Sequence, residues 1–176
     1  MRSYANSTVE VIEALNAGLR VETSIVNAHT GATPIMFHQG LTSIFNVYGV
    51  IRINALFGEC TTVFSADAVK GRFVFTSTSP VIAESNLSVD SAALTSLAKG
   101  KRLTLQGDLV GTAAVITASA GISLWPLGKM VVGVNGGTGL IKINADGALV
   151  DLTTGALQFV LCYTPLSDGA YATAAI

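Results

Sequence analysis

The feature that most constrains this chain is a two-residue alternation of apolar and polar side chains, which recurs in short segments over residues 41–176. Alternation with this period places successive side chains on opposite faces of a β-strand. Segment 41–57 predicts one long half-buried strand with a bend at Gly49. Segment 155–164 predicts the clearest closing strand. The apolar side chains on one face of the closing strand are Leu157, Phe159, Leu161 and Tyr163.

Other alternating segments extend the β pattern along the chain. Segments 61–66 and 72–76 flank a short connection and predict a β-hairpin. Turns rich in Gly, Asn and Asp separate the segments, at spacings typical of sandwiches and barrels. We therefore expect a mainly β, single-domain fold, an antiparallel β-sandwich or β-barrel. Further strands are predicted at 101–106, 122–125, 129–134 and 139–143.

Two segments predict short helices instead. Residues 7–18 combine a capping box at Ser7–Glu10 with apolar side chains at helical spacing. Residues 89–98 predict a second helix, capped by Ser88 or Asp90 and ended by Gly100. The tail at 167–176 is made of small residues and is expected to be loosely held.

The first helix opens an N-terminal arm. A strand over residues 19–26 follows it, and a loop then leads to the body. We expect an arm over residues 1–40 and a β-rich body over residues 41–176. A helix of about ten residues is only marginally stable alone. Its apolar stripe therefore predicts a contact with a neighbouring subunit or a capsid, made by Val11, Ile12, Leu15 and Leu19.

The composition favours a protein that is covered by partners. Half of the residues are hydrophobic and 12% are charged, against about 25% charged in an average domain. The net charge of −1 and the lack of a strong basic patch argue against nucleic acid as a partner. The longest charge-free stretch, 109–127, is interrupted by glycines and a proline, so no membrane span is expected.

Residues that carry chemistry are scarce. His38, Ser43 and Asp67 could be combined into a nucleophile and base only on paper, because any long chain offers such a triple. The glycine-rich segment 133–139 lacks the Walker lysine and precedes a predicted strand, so an Asn-Gly hairpin turn is the better interpretation. We therefore expect that the chain is not an enzyme and that it binds no cofactor. We also expect it to have no catalytic, cofactor-binding or metal-binding residues.

The two cysteines are far apart in sequence. Cys60 and Cys162 form no CxxC pair and have no histidine cluster beside them, so zinc is not indicated. Buried free thiols are the simpler interpretation. The sequence also allows a disulfide, because the fold could bring the two residues together.

Three stretches carry a resemblance to a known group of proteins. They are 44–58, 97–108 and 155–170, the last with the closing pattern L-x-Y-x-P-L-S-D-G-A. In these stretches the chain resembles small virion proteins of tailed bacteriophages, of the head decoration, cement or head-fibre type. The resemblance implies a β-rich body, a homotrimer, the major capsid protein as partner and a place on the capsid surface of the virion. The arm lies outside it.

A phage tail or fibre receptor-binding module is the alternative. Such a module would carry a cluster of exposed aromatic side chains with polar neighbours. The sequence does not group the candidates, which are Trp125, Tyr48, Tyr163 and Tyr171.

Overall fold

The computed structural model describes residues 18–27, 40–65, 69–105, 115–116, 130–134, 136–146 and 154–176. Within these ranges the ordered elements are strands, and none is an α-helix. The strands are β1 (Leu19–Asn27), β2 (Gly40–Tyr48), β3 (Val50–Thr62), β4 (Lys70–Thr78), β5 (Val81–Asn86), β6 (Arg102–Thr104), β7 (Val115–Ile116), β8 (Met130–Gly133), β9 (Gly139–Asp146), β10 (Ala156–Pro165) and β11 (Tyr171–Ala174).

The strands form two antiparallel sheets, which confirms the mainly β prediction. Sheet A has the order β1-β10-β3-β6-β7, and β8 pairs with the first part of β3. Sheet B has the order β11-β2-β9-β4-β5. The pairs β1/β10, β2/β9, β3/β8 and β4/β5 are nested along the chain. A long hairpin rolled up in this way has the strand pairing of a jelly roll.

The two sheets share one hydrophobic core. All four residues predicted to face inward on β10 belong to it. Across the core, Phe159 of sheet A meets Phe73 of sheet B edge to face, with ring centroids 6.4 Å apart. Gly58 makes room for this contact, because a Cβ there would lie 2.8 Å from Phe159 Cε1.

The bend predicted at Gly49 is the point where the chain changes sheets. β2 before it belongs to sheet B, and β3 after it belongs to sheet A. Gly49 has φ +69°, and a Cβ would lie 2.7 Å from Ser167 Oγ. Both the conformation and the space therefore require glycine.

Two predicted hairpins are wrong for the same reason. Residues 61–62 end β3 in sheet A, whereas residues 72–76 lie within β4 in sheet B. The segment 133–139 likewise connects β8 of sheet A to β9 of sheet B, although Gly136 has the expected positive φ of 75°. In a rolled-up hairpin, the connections at these two places pass from one sheet to the other. The strands on either side of each connection therefore pair with strands that are distant in sequence.

The predicted helix at 89–98 is wrong, and so is the loosely held tail. Around 89–98, Ser88 and Ser91 side-chain oxygens accept hydrogen bonds from Phe73 N and Gly71 N of β4, and the backbone is irregular. Such serine contacts compete with helix formation. In the tail, β11 pairs with β2.

The strand predicted over residues 19–26 is confirmed as β1. It lies at the edge of sheet A, paired with β10. The helix predicted at 7–18 lies outside the described residues except for Gly18, and the strand at 122–125 lies outside them as well. The boundary between arm and body at residue 40 stays a prediction.

Candidate interaction surface

The candidate functional features among the described residues are surfaces. Among the described residues, no group of three or more His, Cys, Asp or Glu side chains could hold a metal ion. Ser43 is half-buried in β2, opposite Lys142 of β9. His38 and Asp67, the other two residues of the hypothetical catalytic triple, lie outside the described residues. Where the chain is described, no helix is long and apolar enough to cross a membrane.

Both cysteines are buried free thiols, as the sequence analysis expected. Cys60 faces the shared core, and its Sγ lies 3.2 Å from Leu97 O. Burial raises the pKa of the Cys60 thiol to about 11. Burial also raises the pKa of Cys162, partly offset by the positive charge of Arg20. Both side chains are therefore protonated and poorly nucleophilic near neutral pH.

One end of the two sheets is closed by four short connections, which we call the turn end. They are the β2–β3, β4–β5, β8–β9 and β10–β11 connections. Hydrogen bonds tie them together: Val134 N donates to Gly49 O at 3.1 Å, and Val50 N donates to Ser167 Oγ at 2.9 Å. Thr138 N donates to Thr78 Oγ1 at 3.3 Å. The turn end is thus a preorganised surface.

The turn end exposes apolar side chains and little charge. Val81 is 84% exposed and Leu166 is 50% exposed. Within the described residues of the four connections, Asp168 is the only charged one. Exposed apolar side chains on a preorganised end of the sheets make this end a candidate interaction surface. The large apolar side chains exposed at or next to this end are Leu19, Val81, Val131, Leu166 and Tyr171.

A stacked aromatic pair, in which Tyr171 is exposed and Tyr48 is half-buried, lies at the edge of sheet B beside the turn end. Tyr48 ends β2 and Tyr171 begins β11, and their rings stack with centroids 4.5 Å apart and planes 19° apart. Next to them, Asn46 Nδ2 donates to Thr173 Oγ1 at 3.3 Å. Sequence reasoning missed this pair, because only the pairing of β11 with β2 brings residues 123 positions apart together.

The third tyrosine considered, Tyr163, is a core residue. Its side chain is 4% exposed, and its hydroxyl accepts a hydrogen bond from Ala172 N at 3.0 Å. Trp125, the remaining aromatic candidate, lies outside the described residues. The aromatic cluster is therefore limited to Tyr48 and Tyr171 in the part of the chain that is described.

A second apolar group, the outer cluster, lies on the face of sheet A that is turned away from the core. It consists of Ala55, Phe57, Val160 and Cys162. An ion pair between Arg20 and Glu22 borders it along β1. Along β6, Arg102 stacks over the Phe57 ring at 4.7 Å and pairs with Glu59 at 2.8 Å. An apolar centre is thus framed by charged side chains on both sides.

Only one of the four residues predicted for an assembly contact can be placed. Leu19 begins β1 opposite Tyr163, and it is 52% exposed. Val11, Ile12 and Leu15 lie outside the described residues.

Comparisons with known proteins add no relative. No family model matches the sequence, and neither the curated proteins nor the solved structures contain a significant match.

Proposed function

We propose that this chain is a capsid decoration or cement protein of a tailed bacteriophage. It binds the outside of the assembled shell as a homotrimer, with the major capsid protein as its partner, and it catalyses no reaction. A protein that binds the assembled shell more tightly than the free shell subunits stabilises the shell by mass action. The sequence resemblance points to this class, and jelly rolls are one of the architectures used in viral capsids.

The turn end is the observation that carries the proposal. It combines exposed apolar side chains with backbone turns that are hydrogen-bonded to one another. A surface that is already ordered loses little conformational entropy when it binds. We assign the turn end as the surface that faces the shell.

A homo-oligomer is the first expected result. The 12% charged content leaves less polar surface than a free monomer normally carries. Light scattering coupled to gel filtration should give three times the 18.1 kDa mass of the chain at micromolar concentration. A monodisperse monomer under the same conditions would remove the argument from composition.

The variant Leu166→Asp tests the turn end. It places a charge where the proposal requires a buried leucine, so the affinity for purified shells of the phage that encodes the chain should fall by about 100-fold. Ala93→Asp, an exposed position at the opposite end of the sheets, is the control and should bind normally. Co-sedimentation with the shells measures both. Equal binding by the two variants would exclude the turn end as the shell contact.

The tyrosine pair favours a second candidate, a tail or fibre receptor-binding module. Tyr171 is 46% exposed beside polar Asn46 and Thr173, as a saccharide-binding surface requires. This candidate predicts glycan-array binding that Tyr171→Ala abolishes. Decoration of shells by the unsubstituted protein, together with an empty glycan array for the same protein, would reject it.

A further inference from the structure

The tyrosine pair belongs to a larger accessible surface on the outer face of sheet B. Along β11, β2 and β9, one set of side chains faces outward, because the residues between them fill the shared core. On the next strand, β4, the outward Val74 and Thr76 are buried, so the accessible part of this face ends beside β4. We call the accessible part the tyrosine face, and none of the residues that define it is buried: Tyr171 and Thr173 of β11, Ser43, Asn46 and Tyr48 of β2, and Lys142 of β9.

Lys142 supplies the positive charge of the tyrosine face. It lies opposite Ser43 of β2, which is uncharged. The carboxylates of Glu84 and Asp90, beside β4, both pair with Arg72, at 3.3 and 3.6 Å. Among the ion pairs formed between described residues, none includes Lys142. In that part of the chain its ammonium group therefore has no carboxylate partner.

The tyrosine pair and Lys142 are separated along the strands. Counted along β9 from its register with β2, Lys142 lies four residues beyond the level of Tyr48. At the rise of a β-strand this places the two positions about 13 Å apart. Asn46 and Thr173 lie at a level between them, joined by their side-chain hydrogen bond of 3.3 Å. One sugar ring cannot reach from the tyrosines to Lys142, whereas a short oligosaccharide can.

The side chains of the tyrosine face suit a saccharide. The exposed surface of the stacked rings can pack against the apolar C–H face of a sugar ring. The amide and hydroxyl groups of Asn46 and Thr173 offer both donors and acceptors to sugar hydroxyls. A nucleic-acid strand also stacks on aromatic rings, but it requires a basic groove along its backbone. Lys142 is the single cation among the residues that define the tyrosine face.

We propose that the tyrosine face binds an acidic oligosaccharide. One sugar ring packs on the tyrosine pair, and a carboxylate of another sugar pairs with Lys142. This inference deepens the second candidate function and rests on the binding of a saccharide by the tyrosine pair, to which it adds the chemical class of the ligand. It does not involve the turn end, so a chain that decorates a capsid can carry this site as well.

A glycan array tests the class of ligand. Each acidic oligosaccharide is printed beside the same oligosaccharide after its carboxyl groups have been reduced to alcohols. The protein should bind the acidic form about ten- to 100-fold more tightly than the reduced form, as expected for one hydrogen bond to a charged group. Titration calorimetry on the best pair gives the two affinities. The preference for the acidic form should fall as salt is added, because salt screens the charges.

The variant Lys142→Met tests the anionic end of the site. It keeps the length of the side chain and removes the charge, so it should abolish the preference for the acidic form and leave the affinity for the reduced form unchanged. Tyr171→Ala should weaken the binding of both forms. Lys99→Met removes the same charge from an exposed lysine in the β5–β6 connection. It is the matched control and should bind like the unsubstituted protein.

Different failures identify different errors. Equal affinity of the unsubstituted protein for the two forms would remove the anionic end of the site, although the saccharide candidate would survive. An empty array would remove the site together with that candidate, but it would not affect the decoration of shells. Equal losses in Lys142→Met and Lys99→Met would mean that net charge, and not a contact at Lys142, sets the preference. Tighter binding of a single-stranded oligonucleotide than of any oligosaccharide would assign the face to nucleic acid instead.

Discussion

Replacing Phe159 by alanine should lower the free energy of unfolding by about 3–5 kcal/mol. Phe159 is fully buried, and it is the residue of sheet A that meets Phe73 of sheet B edge to face. The Phe159 ring packs directly against Gly58, which has no side chain that could fill the cavity left by the ring. Chemical denaturation with urea measures the loss.

Tyr171→Ala is the matched control for Phe159→Ala. It also removes an aromatic ring, but from a side chain that is 46% exposed. We expect the free energy of unfolding to fall by about 1 kcal/mol, because removing a half-exposed ring leaves almost no buried cavity. Equal losses in the two variants would mean that the contact between the sheets is not a main source of stability.

The variant Gly49→Ala should lower the free energy of unfolding by about 3 kcal/mol. Part of this loss, about 1–2 kcal/mol, comes from placing a side chain at positive φ. The rest comes from crowding, since the new methyl group would lie 2.7 Å from Ser167 Oγ and 2.9 Å from Ala170 Cβ. Moving Ser167 also weakens its hydrogen bond from Val50 N, which holds the turn end together.

Gly169→Ala separates the two contributions. Gly169 has the same φ of +69°, but a Cβ there would have nothing within 4 Å. Its loss should therefore be limited to the conformational part, about 1–2 kcal/mol. The thermal unfolding midpoints measure both losses. If the two variants lower the midpoint by the same amount, crowding at the β2–β3 turn has no energetic role.

Most of the described strands could be predicted from the sequence because they alternate over enough residues to leave a clear signal, whereas β5, β7 and β11 were not predicted. The alternation on β10, with Leu157 and Phe159 facing inward, survives unchanged in the structure. The break at Gly49 was also predictable, because glycine interrupts an otherwise regular pattern. These signals are local, so they need no knowledge of which strand lies beside which.

The partners of the strands could not be predicted in this way. The segments before and after residue 67 look like a hairpin, yet β3 pairs with β10 and β4 pairs with β9. Pairing of this kind depends on how the whole chain rolls up. A short segment of sequence carries no information about its distant partner strands. The stacked Tyr48 and Tyr171 were hidden for the same reason.

The irregular segment at 89–98 shows a different limit. Its composition suits a helix, but Ser88 and Ser91 bond to the edge of β4 instead. The backbone of the same segment also bonds to the residues around β4, since Leu94 N donates to Val69 O at 2.7 Å. Tertiary hydrogen bonds of this kind override a weak helical preference.

The sequence predicts that the chain has a surface covered by a partner, but it does not predict where that surface lies. The low charge content indicates that part of the outside is covered, but it does not say which part. The turn end becomes visible once Leu166 and Val81, 85 positions apart, are brought to the same end of the two sheets.

The most direct test of the proposed function is the temperature at which the phage shell releases its DNA. Particles stripped of the protein should release DNA at a lower temperature than the same particles after saturation with the purified chain. Because binding to the assembled shell adds stability by mass action, the midpoint should rise with protein concentration until the sites are filled. An unchanged release temperature at saturating protein would contradict the account.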